Sequence, residues 1–426
     1  MNYSMRDDVM KVKRNVVAAI AVGAAVVCVA SFAGVTPAFA AKEGQTVSAA
    51  VGKPLKAASE ALNKHDFTTA ITKLNEADAM PKKSPYEQYL IDEMKGYAYV
   101  HTKQYPDAAK AMEAQLGSKF TTPDQTRTLT VALAQLSYQI KNYDKAIQYG
   151  TEAIDKGWSD AQMPTLVGQA YYLKSDWKGT VRFEKTQVAA DEKKGVAPSN
   201  ESLQLLLSAC LKMDPSGDDA CANDALQELV VYHPKPAYWQ QLLYGMFKTV
   251  KSDSNLLQTY RLADEVDVLK RPEDYTDFAQ LAIEAGSPGE AEQIIEKGMQ
   301  ANIFPDARTK GKAQRLLVDA KKASARDKAT LDRTAEEAAR SSSGNQDVGL
   351  GLAYYGYQQY DKAIQALKQG IAKGGLKSRP EAELLLGIAQ LKSGDKAAAL
   401  SSFKSVKGNP TLQRLATLWS LRARSA

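Results

Sequence analysis

A recurring pattern of apolar and polar residues predicts that most of the chain folds as pairs of helices. Residues 142–157 and residues 359–375 both read Tyr-Asp-Lys-Ala-Ile and then, at the same offset, Ile-x-Lys-Gly. Further copies keep a small residue in the position of this alanine, and the neighbours that can be read directly lie 38, 38, 34 and 36 residues apart. The positions are Ala70, Ala108, Ala146, Thr180, Ala291, Ala363 and Ala399. Repeats of this length are typical of stacked helical arrays.

Each copy also has a first half. A Gly or Ala stands twelve residues before the alanine position, and a Tyr often follows three residues later. A small residue lets two antiparallel helices approach closely, and a ring fills the space beside the crossing. We therefore expect these residues to be structural; the set is Gly96, Tyr99, Ala108, Ala146, Gly168, Tyr171, Ala291, Gly351, Tyr354, Ala363, Gly387 and Ala399.

This arrangement resembles the tetratricopeptide repeat, in which a helix with small-x-x-Tyr precedes a tight turn and a second helix. The resemblance is most specific in GQAYYLKSDWKGT, residues 168–180, and in GLAYYGYQQYDKA, residues 351–363. It implies an all-α fold, a right-handed superhelical array of antiparallel helix pairs (an α-solenoid). It also implies that the protein serves as a docking surface for other proteins.

The period divides the chain into segments. We expect an N-terminal array in residues 41–200, an irregular helical region in residues 201–340 with one repeat-like unit near 275–300, and a C-terminal array with a capping helix in residues 347–426. The sequence SSSGNQ, residues 341–346, is predicted to be a flexible link.

The N-terminus has the three parts of a secretory signal peptide. A basic start is followed by an apolar stretch and by Ala-Phe-Ala at residues 38–40. We expect cleavage after Ala40, export to the periplasm of a Gram-negative bacterium, and no stable membrane insertion afterwards. An uncleaved anchor is the alternative, and translation starts at Met1 or Met10.

The composition narrows the classes of function. The net charge is +6 on 426 residues, too dilute for a nucleic-acid-binding protein. Cys210 and Cys221 flank a turn sequence and are candidates for a disulfide; two buried free thiols are the alternative. The three histidines, at positions 65, 101 and 233, lie far apart and predict no metal site. No phosphate loop, nucleophile elbow or zinc-protease motif is present, so we expect neither catalysis nor a cofactor.

A stacked array offers a concave surface built mainly from the first helix of each pair. The residue after the small one, and the residue three further on, should face it. These groove candidates are Tyr97, Gln135, Tyr138, Gln169, Tyr172, Leu352 and Tyr355. Rings and amides suit an extended peptide, although half-buried scaffold tyrosines would give the same pattern.

The leading hypothesis is a non-enzymatic periplasmic scaffold that binds envelope proteins or peptides. Relatives of this kind assist outer-membrane assembly, cell-wall synthesis or energy transduction of the TonB type, by analogy only. The alternative is a periplasmic scaffold for polysaccharide export, against which the presence of only four Trp weighs. The apolar C-terminal helix, with Leu412, Leu415, Leu418 and Trp419 at helical spacing, leaves self-association open.

Overall fold

Local sequence signals begin the helices. The computed structural model describes residues 45–214 and 220–425, and all regular secondary structure in these ranges is helical. Ser84 and Thr122 each cap a helix whose first residue is Pro, and each forms a reciprocal capping box with the residue three positions on. The fold is therefore all-α, as the sequence predicts.

The predicted signal peptide, its cleavage after Ala40 and the choice between Met1 and Met10 lie outside the described residues. Among the helices of residues 45–214 and 220–425, none combines the length and the apolar character that crossing a membrane requires.

The chain divides after residue 215 into two packed units. In the first, residues 45–214, each helix packs against the next along the chain. Its helices are α1 (Ala49–Asn63), α2 (Phe67–Asp78), α3 (Pro85–His101), α4 (Tyr105–Leu116), α5 (Pro123–Gln139), α6 (Tyr143–Asp155), α7 (Met163–Leu173), α8 (Trp177–Lys193) and α9 (Asn200–Met213). The helices α5, α7 and α9 also contact one another in sequence, so the first helices of successive pairs form one layer.

The second unit, residues 220–425, contains one helix much longer than the rest. Its helices are α10 (Ala220–Tyr232), α11 (Pro236–Thr249), α12 (Asp253–Glu265), α13 (Pro272–Glu284), α14 (Pro288–Gln300), α15 (Ala307–Arg340), α16 (Asn345–Gly356), α17 (Tyr360–Lys373), α18 (Arg379–Lys392), α19 (Lys396–Ser405) and α20 (Pro410–Ser425). At the predicted link between α15 and α16, the N–H of Gly344 donates to the carbonyl of Gly374 at 3.0 Å, which ties this connection to the end of α17. The domain limits drawn from the sequence stay predictions.

The turn between the two helices has the same geometry in seven repeats of the described residues. A residue with positive φ, such as Lys141 (61°) or Ser175 (64°), follows the first helix. The N–H of the next residue donates to a carbonyl five positions back, as Asn142 does to Ser137 at 2.8 Å. This bond closes the helix end in the manner of a Schellman motif. In the described residues, the acceptors of this bond are Ala61, Tyr99, Ser137, Tyr171, Ala282, Tyr354 and Gln390, so the Tyr position of the pattern also marks where the turn closes.

The small residues lie where two helices of a pair cross. An added Cβ on Gly96 would lie 3.2 Å from Met112, and one on Gly387 would lie 2.5 Å from Phe403. In each case the facing residue stands four positions after the alanine of the pattern. The predicted alanines 108, 146, 291, 363 and 399 are fully buried, and the glycines at 96, 168, 351 and 387 are buried as well.

Two glycines of α16 should respond in opposite ways to the same substitution. A Cβ on Gly351 would lie 2.6 Å from Leu367 Cγ, whereas a Cβ on Gly349 would have no neighbour within 4 Å. We expect Gly351→Ala to lower the free energy of unfolding by about 1–3 kcal/mol and Gly349→Ala to raise it by about 0.5–1 kcal/mol. Urea unfolding of both variants measures this. Equal effects would show that residue 351 is not a packing position.

The second unit closes on itself, because its last helix packs against its first ones. The helix α20 contacts α10, α12 and α18, and Arg422 forms an ion pair with Glu265 at 3.0 Å. The apolar residues Leu412, Leu415, Leu418 and Trp419 are at most 4% exposed. The apolar face that left self-association open is therefore covered within the unit.

Candidate functional site

In the first unit, side chains of successive first helices are hydrogen-bonded to one another. The hydroxyl of Tyr138 donates to Gln169 Oε1 at 2.9 Å, joining α5 to α7. The hydroxyl of Tyr172 lies 2.8 Å from Ser208 Oγ, joining α7 to α9. Three of the groove candidates, Tyr138, Gln169 and Tyr172, thus lie on one layer of first helices, but their polar atoms bridge neighbouring repeats. Gln135, the fourth candidate on these helices, is half-buried.

The bridging continues to the start of the unit through residues that the sequence did not single out. Gln125 of α5 donates to Tyr89 Oη at 2.7 Å and to Glu93 Oε1 at 3.0 Å, both on α3. Burial raises the pKa of Glu93 despite these bonds. Glu87 accepts from the N–H of Ser48 at 2.8 Å and of Ser84 at 2.7 Å, and so caps α1 and α3 together. Burial raises the pKa of this carboxyl, but the hydrogen bonds outweigh it and bring the pKa to about 2.

Tyr97 lies in an aromatic cluster. Its ring centroid is 4.5 Å from that of His101, and His101 stacks on Phe67 at 4.4 Å. Burial, and then the nearby His65, lower the pKa of His101. The cluster gives Tyr97 a packing role at the turn between α1 and α2.

The second unit contains a cavity of about 350 Å³. We call it the Arg261 cavity. Its walls include α12, α14, α16, the start of α17 and the end of α18. The lining residues include Arg261, Asp264, Glu290, Gln293, Lys297, Tyr355, Gln358, Tyr360 and Lys392. The groove candidates Tyr355 and Leu352 both pack against the apolar cluster of α16–α18, and of the two only Tyr355 lines the cavity.

A buried ion pair forms one wall of the Arg261 cavity. Arg261 Nε and Nη2 donate to Glu290 Oε1 and Oε2 at 2.7 and 2.6 Å, so the pair is bidentate. The guanidinium lies 5.3 Å from the ring centroid of Tyr355. Burial alone would lower the pKa of Arg261, but Glu290 outweighs it and raises that pKa. Glu290 thus stabilises the charged form of Arg261.

Most other polar groups around the cavity are also paired. Lys297 pairs with Asp264 at 2.6 Å, Lys392 pairs with Glu265, and Gln358 donates to Gln293 Oε1 at 2.6 Å. In contrast to these paired groups, the hydroxyls of Tyr355 and Tyr360 form no hydrogen bond with the described part of the chain. Burial raises the pKa of both, so both are neutral donors at physiological pH. The cavity therefore presents nearly neutral polar chemistry with two free hydroxyls.

The comparisons with known proteins agree with this architecture. Residues 94–161 and 348–411 match the family model of the tetratricopeptide repeat. The two segments are therefore similar to tetratricopeptide repeats. The second of them contributes Tyr355 and Tyr360 to the cavity, while Arg261 and Glu290 lie outside both segments.

Three solved structures illustrate the likeness. A tetratricopeptide repeat protein from Parabacteroides merdae is 11% identical, with a TM-score of 0.28, over 87% of this chain and 100% of that chain. A chain of Naa15/Naa10 bound to HypK-THB is 14% identical, with a TM-score of 0.30, over 84% of this chain and 58% of that chain. A chain of the APC/C hetero-tetramer Cut9-Hcn1 is 13% identical, with a TM-score of 0.19, over 88% of this chain and 87% of that chain. No curated protein matches.

The sequence did not reveal Arg261, Glu290 or Tyr360 as cavity residues. Glu290 directly precedes the alanine of its repeat, a position that is exposed at Thr69, Asp107 and Lys362 in other copies. Arg261 lies in a segment without the period. One sequence signal could have indicated a buried ion pair: Arg261 stands beside apolar residues in TYRLADE, residues 259–265. A buried charge needs a partner of opposite charge.

Proposed function

We propose that the protein is a non-enzymatic repeat scaffold that binds segments of other proteins. The observation that carries the proposal is the Arg261 cavity, where two free tyrosine hydroxyls stand among side chains whose charges are already paired. Such a surface suits a neutral, polar peptide, whose backbone accepts from the hydroxyls while its side chains pack on the rings. The similarity of residues 348–411, which contribute Tyr355 and Tyr360, to tetratricopeptide repeats supports this function.

Removing the two hydroxyls should weaken peptide binding. We expect Tyr355→Phe/Tyr360→Phe to raise the dissociation constant of a peptide selected on the protein by about 5- to 100-fold, because two hydrogen bonds of about 0.5–1.5 kcal/mol each are lost. The peptide comes from selection of a random library on residues 41–426, and titration calorimetry measures its affinity.

Tyr244→Phe is the matched control, because Tyr244 lies in the same unit and outside the cavity lining. It should bind the peptide as the wild type does. Unchanged affinity in the double variant would remove the cavity from the proposal. If no peptide is selected and polysaccharide binds instead, the export scaffold replaces the protein-binding function.

Export is part of the proposal. The signal-peptide pattern of residues 10–40 supports a periplasmic location, and the resemblance to envelope repeat proteins supports a role as an accessory of an outer-membrane assembly, cell-wall synthesis or TonB-type complex. N-terminal sequencing of the protein from fractionated cells tests this, since a mature chain should begin at Ala41. A full-length chain in the cytoplasmic fraction would contradict it.

The two cysteines belong to the proposal as well. Cys210 and Cys221 are each disulfide-bonded, and we propose that they bond to each other. Mass spectrometry of the unreduced digest should recover the linked peptides; two alkylated thiols would contradict the pairing.

A further inference from the structure

The long helix α15 presents an uncovered face. At 34 residues it extends about 50 Å, and it packs against α13, α14 and α16. The side of α15 that faces these helices carries the buried residues Ala313, Ala320, Ser324 and Ala338. The opposite side is solvent-exposed along most of its length.

That opposite side has its own sequence pattern. Large cations recur every seven residues, and small or apolar residues recur every seven residues between them. We call this set the α15 outer face; it consists of Arg308, Gly311, Arg315, Val318, Lys322 and Ala325. Val318 is 65% exposed, although it is a large apolar side chain. A seven-residue spacing keeps one face of a helix against one face of another.

Two cations of this face lack the ion pairs that Lys312 and Lys321 of α15 form. Lys321 pairs with Glu296 at 2.8 Å and Lys312 with Asp277 at 3.8 Å, both within the unit. Arg315 and Lys322 form no ion pair with the described part of the chain. Their charges are therefore available to an external partner, and their apolar stems can lie along its surface.

We propose that the α15 outer face binds an acidic α-helix of a partner protein, with Asp or Glu at seven-residue spacing opposite Arg308, Arg315 and Lys322. Gly311 and Ala325 let the two helices approach, and Val318 supplies the apolar contact between them. The face shares no residue with the Arg261 cavity, so the proposal stands apart from peptide binding there.

Charge and apolar area exclude the other occupants. The helix carries ten basic and five acidic side chains, so two copies of this chain would repel each other across it. A membrane-surface helix needs several large apolar side chains on one face, and this face has only Val318. An acidic helix satisfies both the charge and the narrow shape.

The test uses the full mature chain and a synthetic peptide probe. The peptide has about 28 residues with Glu and Ala alternating at coiled-coil spacing on one face, and fluorescence anisotropy measures its binding. We expect Arg315→Glu/Lys322→Glu to weaken binding at least about tenfold at low salt. A higher salt concentration should also weaken binding of the peptide to the wild-type protein.

Lys404→Glu/Arg414→Glu is the matched control, because it reverses two exposed cations elsewhere in the same unit. It should bind the peptide as the wild type does, and a peptide of scrambled sequence should bind poorly. Three results would overturn the proposal: equal binding by wild type and Arg315→Glu/Lys322→Glu, equal binding of the scrambled peptide, or binding of anionic phospholipid vesicles without binding of the peptide.

Discussion

An Arg261→Met protein should lose about 3–5 kcal/mol of stability in its second unit, because Glu290 would keep a buried charge without a partner. The Arg261 side chain is 1% exposed and the Glu290 side chain 11%, so little water can replace the lost donors. Both oxygens of Glu290 accept from Arg261. Hydrogen exchange with mass spectrometry on the full chain measures the loss, since it reads α12 and α14 separately from the first unit.

Two further variants test whether the unpaired charge of Glu290 causes the loss of stability in Arg261→Met. Arg261→Met/Glu290→Met should recover much of the loss, because an apolar pair of similar volume replaces a buried ion pair at little cost. Lys156→Met breaks the exposed pair with Glu152 and should cost less than about 1 kcal/mol. If Arg261→Met exchanged no faster than Lys156→Met, water would be solvating the pair and the cavity wall would not depend on it.

A Glu184→Gln protein should be more stable than the wild type at alkaline pH. Glu184 is 2% exposed and accepts from the hydroxyl of Ser202. It occupies the packing position that Met112, Leu367 and Phe403 fill in other repeats. Burial raises the pKa of its carboxyl to about 7, although the hydrogen bond from Ser202 acts in the opposite direction.

The raised pKa fixes the direction of the effect. The folded state binds this proton more tightly than the unfolded state, whose pKa is 4.5. The contribution of protonated Glu184 to the free energy of unfolding is fully present below pH 4.5, and it is lost as pH rises through about 7. One pKa unit corresponds to about 1.4 kcal/mol, so Gln should gain up to about 3 kcal/mol over the wild type at pH 8 and little at pH 4.

Urea unfolding at both pH values measures the difference. Glu192→Gln removes a carboxylate from the exposed side of the same helix, and should change the free energy of unfolding by less than about 0.5 kcal/mol at either pH. A Glu184→Gln protein with the same pH dependence as the wild type would mean that the carboxyl titrates in the folded state as it does in the unfolded chain.

The features that the sequence predicted are those encoded within one repeat. The small residue, the Tyr, the buried alanine and the residue that faces the small one lie within sixteen positions, from Gly96 to Met112 in one such pair. Their spacing alone therefore indicates the helix crossing and the turn. Gly168 and Glu184 show the limit of this pattern. The spacing locates the contact but does not show that a carboxyl fills it.

The repeat pattern in the sequence did not predict the interactions between different repeats. Arg261 and Glu290 are 29 residues apart and occupy positions that are not equivalent in their helix pairs. For Tyr138 and Tyr172, both sequence-based alternatives remain, because each ring faces the predicted layer while each hydroxyl joins neighbouring helices. Whether these rings also bind a partner stays a prediction.

Closure of the second unit constrains how the protein is synthesised. An open helical array can become stable from one end while the remainder is still being translated. Here Glu265 accepts a hydrogen bond from Arg422, which is 157 positions downstream. Ser254 donates a hydrogen bond to Glu381, which is 127 positions downstream. The helix α12 therefore leaves the ribosome long before the segments that cover it, and the unit reaches its final structure only after α20 has been synthesised.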